Sequence, residues 1–231
     1  DLASVAQPVP GQSVAWAQSR GRGASINLSP VEVGPHLEHA LYQNLGRLVF
    51  TSATLAPLAD LEPLRQRLGL PAETAKLVVA SPFDPATQAL LYVPRQMPQP
   101  QAPGFAQAVA RQLEEILALS QGRAFALFTT HRNLELVSGL LEGRLPYPCL
   151  VQGQAPRMEL LRRFVNESPC VLFATASFWQ GVDVPGPALS AVIVDKLPFA
   201  PPDDPLVTAR AQRLEQQGRS GFYHLMLPEA V

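Results

Sequence analysis

The sequence predicts an α/β fold: a parallel sheet with helices on both faces, preceded by a short hairpin and helix segment. Three observations predict it. Short runs rich in β-branched and apolar residues, bounded by Gly or Pro, recur along the chain. Stretches with apolar residues at helical spacing lie between several of them. Small hydroxyls or an amide follow most of the runs, at the strand ends where an open parallel sheet gathers ligands.

The stretch SVAWAQSRGRGASINLSP reads as two short strands around a Gly/Arg turn at residues 19–23. Residues 31–45 read as a helix leading into an apolar run, Leu48-Val49-Phe50. Further buried strands are expected at 77–80, 90–93, 124–128, 149–151, 171–174 and 191–194. Phe105, Val109, Leu113, Ile116 and Leu117 mark a helix over 105–119, and the same spacing predicts helices over 133–141 and 158–165. Thr129-Thr130 is placed to cap the second of these three. Asp203-Asp204-Pro205 is placed to cap a helix that begins near Leu206. The Pro/Gln-rich span 92–104 reads as a surface linker. Strands alternating with helices require crossover connections, hence a RecA-like or Rossmann-like parallel sheet.

Composition narrows the function classes. Apolar residues form 47% of the 231 residues and charged residues 16%, which builds a core and argues against disorder. A net charge of −1 argues against binding nucleic acid through a broadly basic surface. Cys149 and Cys170 both lie in apolar runs, too few for a ligand cluster or a disulfide framework, so a reducing cytoplasm is expected. No apolar run approaches the roughly 18 residues a membrane span needs, so no membrane partner is expected. The chain starts with Asp1 and not Met, and is expected to be a piece of a longer protein.

Thr51-Ser52-Ala53-Thr54, Thr129-Thr130-His131, Gln152-Gly153-Gln154, Thr175-Ala176-Ser177 and Asp195-Lys196 follow five of the runs. Small hydroxyls and amides suit phosphate oxygens because no bulky side chain obstructs their approach. The last strand but one continues into Gly181-Val182-Asp183-Val184-Pro185-Gly186. Its glycine permits close approach to a ligand, its carboxylate accepts hydrogen bonds, and its proline prevents a regular continuation.

TSATL, GRAFALFTTHRNLELV, RMELLRRF, VLFATASFWQGVDVPG and VIVDKLPFAPPDDP occur in that order. Together they resemble the second half of an iron–sulfur superfamily 2 DNA helicase of the XPD/DinG group, on its bacterial DinG-like branch. The resemblance spans residues 13–231. It implies the C-terminal motor of an ATP-dependent 5′-to-3′ helicase acting in DNA repair or replication-fork rescue. It divides the chain into residues 1–70, holding the hairpin, helix and motif III strand, and 71–231, a RecA-like motor domain 2 that stops before its last motif. By resemblance Thr51, Ser52, Ala53 and Thr54 couple nucleotide state to the DNA track. Thr129, Thr130, Thr175 and Ser177 touch the DNA backbone, a role compatible with helix capping for the last two. Gln180, Gly181 and Asp183 face the ATP side; many relatives carry Glu where Gln180 stands, so a carboxylate role there is not transferred. Arg157, Leu160, Leu161 and Phe164 match a helix of motor domain 2.

No P-loop is present, because neither lysine, Lys76 or Lys196, follows a Gly. No Asp-Glu pair is present to hold Mg²⁺. ATP, Mg²⁺ and a 4Fe–4S cluster are therefore expected in the full-length protein with its N-terminal motor domain. This portion alone is expected to hold no metal and to be inactive as an ATPase, because phosphoryl transfer needs a cradle and a metal. The expected partners are single-stranded DNA, ATP, the N-terminal motor domain of the same chain, and a replication or repair protein. A second reading is a non-catalytic interaction module with the same fold. A third is a nucleotide-sugar or methyl-donor enzyme, which lacks the glycine-rich turn it would need after the first strand. Phe178-Trp179 either stacks on a base or packs beneath its loop. Lys196 either pairs with Asp195 or faces the cleft. His36 and His39 read as surface residues.

Overall fold

The computed structural model describes residues 11–21, 23–52, 60–179 and 181–230. The chain divides into two compact units, Asp1–Leu90 with Phe199–Val231, and Leu91–Pro198.

In the first unit, β1 (Ser13–Arg20) and β2 (Gly23–Pro30) pair antiparallel in full register, Ser13 opposite Pro30 and Arg20 opposite Gly23. Next come α1 (Gly34–Leu37), a π-helical turn (Glu38–Tyr42), α2 (Glu62–Leu68) and α3 (Pro85–Gln88). Pro35 lies in the first turn of α1, where its missing N–H costs nothing. Gly34 and Gly69 let two backbones meet: a Cβ on Gly34 would stand 2.8 Å from the Gly69 Cα. The Tyr42 hydroxyl donates to the Leu68 carbonyl at 2.8 Å, beside that approach.

The unit closes with α7 (Pro205–Gln216), a π-helical turn (Phe222–Met226) and α8 (Leu227–Ala230), numbered after the helices of the second unit. Asp204 caps α7 as expected, its Oδ1 accepting from Leu206 N at 2.9 Å and Val207 N at 3.0 Å. Arg210 Nε donates to the Val31 carbonyl at 3.1 Å and ties α7 to the end of the hairpin.

The second unit carries α4 (Phe105–Ser120), β3 (Ala124–Leu127), α5 (His131–Leu141), β4 (Cys149–Val151), α6 (Arg157–Asn166), β5 (Val171–Ala174) and β6 (Ala191–Val194). The four strands are parallel, in the order β4-β5-β3-β6. Side chains alternate across the sheet, and the central strands β3 and β5 are covered on both faces. Ala124, Ala126, Phe128, Val171 and Phe173 pack with α4 and α5. Phe125, Leu127, Leu150, Leu172 and Ala174 pack on the other face with Leu160 and Phe164 of α6. This two-sided burial is why β3 and β5 read as unbroken apolar runs. Each fully buried Leu or Phe stabilises the fold by about 1.5–3 kcal/mol.

Three expected strands are absent. Residues 48–50, 77–80 and 90–93 form no regular element and join no sheet among the described residues. Val49 is 88% exposed, Leu77 84% and Leu90 93%. β-branched composition favours a pleated surface, but a strand exists only where a neighbour completes its hydrogen-bond ladder. The expected helix over 31–45 shortens to α1 and the π-helical turn.

Candidate functional site

The second unit gathers its polar strand ends along one edge. Because the four strands are parallel and paired in register, their carboxyl ends lie side by side. Following the strand order, that edge carries Gln152 after β4, Thr175 after β5, Thr129 and Thr130 after β3, and Asp195 after β6.

Two side chains hold the edge together. Gln152 Oε1 accepts from Thr175 N at 2.6 Å and from Thr175 Oγ1 at 3.0 Å. Asp195 Oδ1 accepts from Thr129 N at 3.0 Å, and its Oδ2 accepts from Asn133 Nδ2 at 3.0 Å. The carboxylate thus spans from β6 to the loop and first turn of α5. Lys196 does not pair with its neighbour: Asp195 turns to Thr129 and Asn133, and no ion pair joins the two among the described residues.

The hydroxyls differ in accessibility. Thr130 is exposed and caps α5, its Oγ1 accepting from Asn133 N at 3.2 Å. Thr129 is half-buried, with an Oγ1 that has no hydrogen-bond partner. Thr175 is buried, 7% exposed, with its hydroxyl engaged by Gln152. Ser177 is exposed in a 3₁₀ turn, Ala176–Phe178, that starts when Phe178 N donates to the Thr175 carbonyl at 2.9 Å.

The loop beyond that turn has an inner and an outer side. Val182 and Val184 pack onto the α6 face of the core, while Gly181, Asp183 and Pro185 are exposed. Alternation therefore presents the Asp183 carboxylate outward between two apolar anchors. Gly181 has φ of +67°, a conformation a β-carbon would strain. Its carbonyl accepts from Arg157 Nη2 at 3.2 Å, and the same guanidinium lies 5.5 Å from the centre of the Phe178 ring. Phe178 itself is buried, so it packs beneath the loop.

Thr51 and Ser52 belong to the other unit, where both are exposed. Ala53, Thr54 and Gln180 lie outside the described residues. Gln152 and Asp195 were read from the sequence as strand-end groups and Arg157 as part of a motor-domain helix, but none of them, nor Asn133, was expected to organise the site through these bonds. The amide-glycine pair after β4 was the one available signal for Gln152.

No group of three or more His, Cys, Asp or Glu able to hold a metal ion occurs among the described residues. Burial, reinforced by the nearby Glu167 carboxylate, pushes the Cys170 thiol up to about 11, and burial also raises Cys149. A raised thiol pKa lowers the thiolate fraction, which makes both cysteines weak nucleophiles. No described helix is long and apolar enough to cross a membrane.

Comparison with known proteins agrees with this architecture. Residues 113–231 match the family model described as the helicase C-terminal domain. The ATP-dependent DNA helicase YoaA of Escherichia coli is 39% identical over 222 residues, covering 96% of this chain and 35% of that protein. The ATP-dependent helicase DinG of Mycobacterium tuberculosis is 34% identical over 229 residues, covering 96% and 34%. A Bacillus subtilis protein named 3′-5′ exonuclease DinG is 30% identical over 230 residues, covering 94% and 25%. The chain thus spans about a third or less of these relatives. A solved XPD helicase shares the fold with a TM-score of 0.61 and 16% identity, over 89% of this chain and 38% of that one.

Proposed function

The chain belongs to the helicase C-terminal domain family, in its DinG/XPD-like group, and from that premise we propose that it is the second motor portion of a 5′-to-3′ DNA helicase acting in repair or replication-fork rescue. It contributes half of an ATP cleft and half of a single-stranded DNA track. The N-terminal motor domain of the same chain supplies the P-loop, the Mg²⁺ site and the 4Fe–4S cluster, in the cytoplasm. Residues 71–231 act as motor domain 2, and Thr51 to Thr54 couple it to nucleotide state. Gln180, Gly181 and Asp183 face ATP; Thr129, Thr130 and Ser177 line the DNA side, with the buried Thr175 set behind them.

One observation carries this reading: the polar row at the carboxyl edge of the parallel sheet, continued by the outward carboxylate of Asp183. Groups on such an edge reach phosphate and sugar oxygens without reading bases, which suits a motor that moves along any sequence. A surface of nearly balanced charge is compatible with that mode, because hydroxyls and amides carry the contacts.

The test uses the intact protein. ATP hydrolysis is measured with and without single-stranded DNA, and strand separation is followed on duplexes with either a 5′ or a 3′ tail. Stimulation by DNA and opening from the 5′ tail are expected. Hydrolysis indifferent to DNA would refute the motor reading. The exonuclease name of one relative makes a second reading worth the same gel: shortening of the labelled strand would assign this fold to a nuclease-linked protein.

A further inference from the structure

Gln152 and Thr175 meet in a way that settles which of them has hydrogen atoms to offer. The Thr175 main-chain N lies 2.6 Å from Gln152 Oε1, and Thr175 Oγ1 lies 3.0 Å from the same oxygen. A peptide N–H only donates, so the carboxamide must turn its oxygen, not its nitrogen, toward Thr175. That oxygen has no proton, so the hydroxyl donates as well. The Thr175 hydroxyl has a single O–H, and it donates that to Gln152; what Oγ1 turns elsewhere is lone pairs, which cannot bind an anionic oxygen. The residue is also buried.

The two N–H donors of Gln152 are left over. Gln152 is half-buried, and its Nε2 has no partner among the described residues. The main-chain N of Gln152 extends the ladder to the Phe173 carbonyl at 2.9 Å, which anchors the residue on the strand end. Gly153 then turns away with φ of +100°, and a Cβ placed there would meet nothing within 4 Å, so the residue after Gln152 borders open space.

We propose that Gln152 Nε2, and not the Thr175 hydroxyl, is the donor through which this strand end holds a phosphate oxygen of bound single-stranded DNA. The proposal rests on the helicase reading and revises the role expected for Thr175. Thr175 becomes a positioning residue: its two donors fix the carboxamide so that both amide protons point away from it. A preset donor loses little entropy on binding.

The experiment measures binding of a labelled oligothymidine to the intact protein by fluorescence anisotropy at one fixed salt concentration. The proteins are wild type, Q152M, Q152E, T175V and the double variant Q152M/T175V, each checked by thermal melting. Q152M is expected to weaken binding about tenfold, the scale of one hydrogen bond to a charged group. Q152E keeps an oxygen for both Thr175 donors, so it folds, but it has no amide proton and should lose at least as much. T175V should stay within about threefold, and Q152M should cost the same in the T175V background. Loss in T175V equal to that in Q152M, or no further loss in the double variant, would return the contact to Thr175 and overturn the proposal. An unchanged DNA affinity with a raised KM for ATP would move the phosphate to the nucleotide and also overturn it. Failure of the wild type to bind DNA would instead refute the helicase reading beneath it.

Discussion

Replacing Asp195 tests how the polar edge is held in shape. Asp195→Ala removes both oxygens that serve Thr129 N and Asn133 Nδ2, each at 3.0 Å. A hydrogen bond to a charged group contributes roughly 1.5–3 kcal/mol when well buried. Asp195 and Thr129 are half-buried, so water can replace part of each bond, and the sum comes to about 2–3 kcal/mol. For a chain of 231 residues that lowers the melting temperature by roughly 4–12 °C. Asn133→Ala removes one of the two bonds and should cost about 1 kcal/mol. Asp195→Asn keeps an acceptor for Thr129 N but sets an amide against the Asn133 amide, donor facing donor. Adding Asn133→Asp to that variant restores a donor–acceptor pair and should recover most of the loss. Urea denaturation of the five proteins, with the slope unchanged, measures these differences. The reasoning fails if Asp195→Ala costs no more than Asn133→Ala, or if the reciprocal Asn/Asp exchange is no more stable than Asp195→Asn alone.

Gly122→Ala should destabilise the second unit by roughly 2–4 kcal/mol, because a β-carbon there would stand 2.4 Å from Tyr147 Cγ at φ of +76°, and chemical denaturation measures the cost. Cys170 gives a pH signature. Its thiol is held up to about 11 in the folded state against an ordinary 9.0, mainly by burial, so its proton is retained on folding. The unfolded thiol ionises first, so stability falls as pH rises from about 9 to about 11, by at most roughly 2–3 kcal/mol. The stability difference between wild type and Cys170→Ala, followed across that range, should shrink by this amount; a constant difference would contradict the burial argument.

Much of the second unit was legible in the sequence, because its signals are local. Phe105, Val109, Leu113 and Leu117 announced α4 and are all buried on it. Thr130 and Asp204 announced caps that they form. The four strands at 124–128, 149–151, 171–174 and 191–194 were readable to within a residue, because each is a short apolar run and the central pair, β3 and β5, is buried on both faces. The runs at 48–50, 77–80 and 90–93 carry the same composition and pair with nothing among the described residues. Composition measures suitability for a ladder and says nothing of whether a neighbour is present.

The order of motifs along the chain determined the family, and the spacing of apolar residues determined an α/β core with its polar groups after the strands. Tertiary structure decided which of those groups can act. Gln152 meets Thr175 across 23 positions of sequence, and Asp195 meets Thr129 across 66. The hydrogen bond that Thr175 donates to Gln152, and the carboxylate bridge from β6 to α5, exist only once distant strands lie side by side. Hydrogen bonds are short-ranged and directional, so their donors and acceptors are assigned by packing rather than by position in the chain.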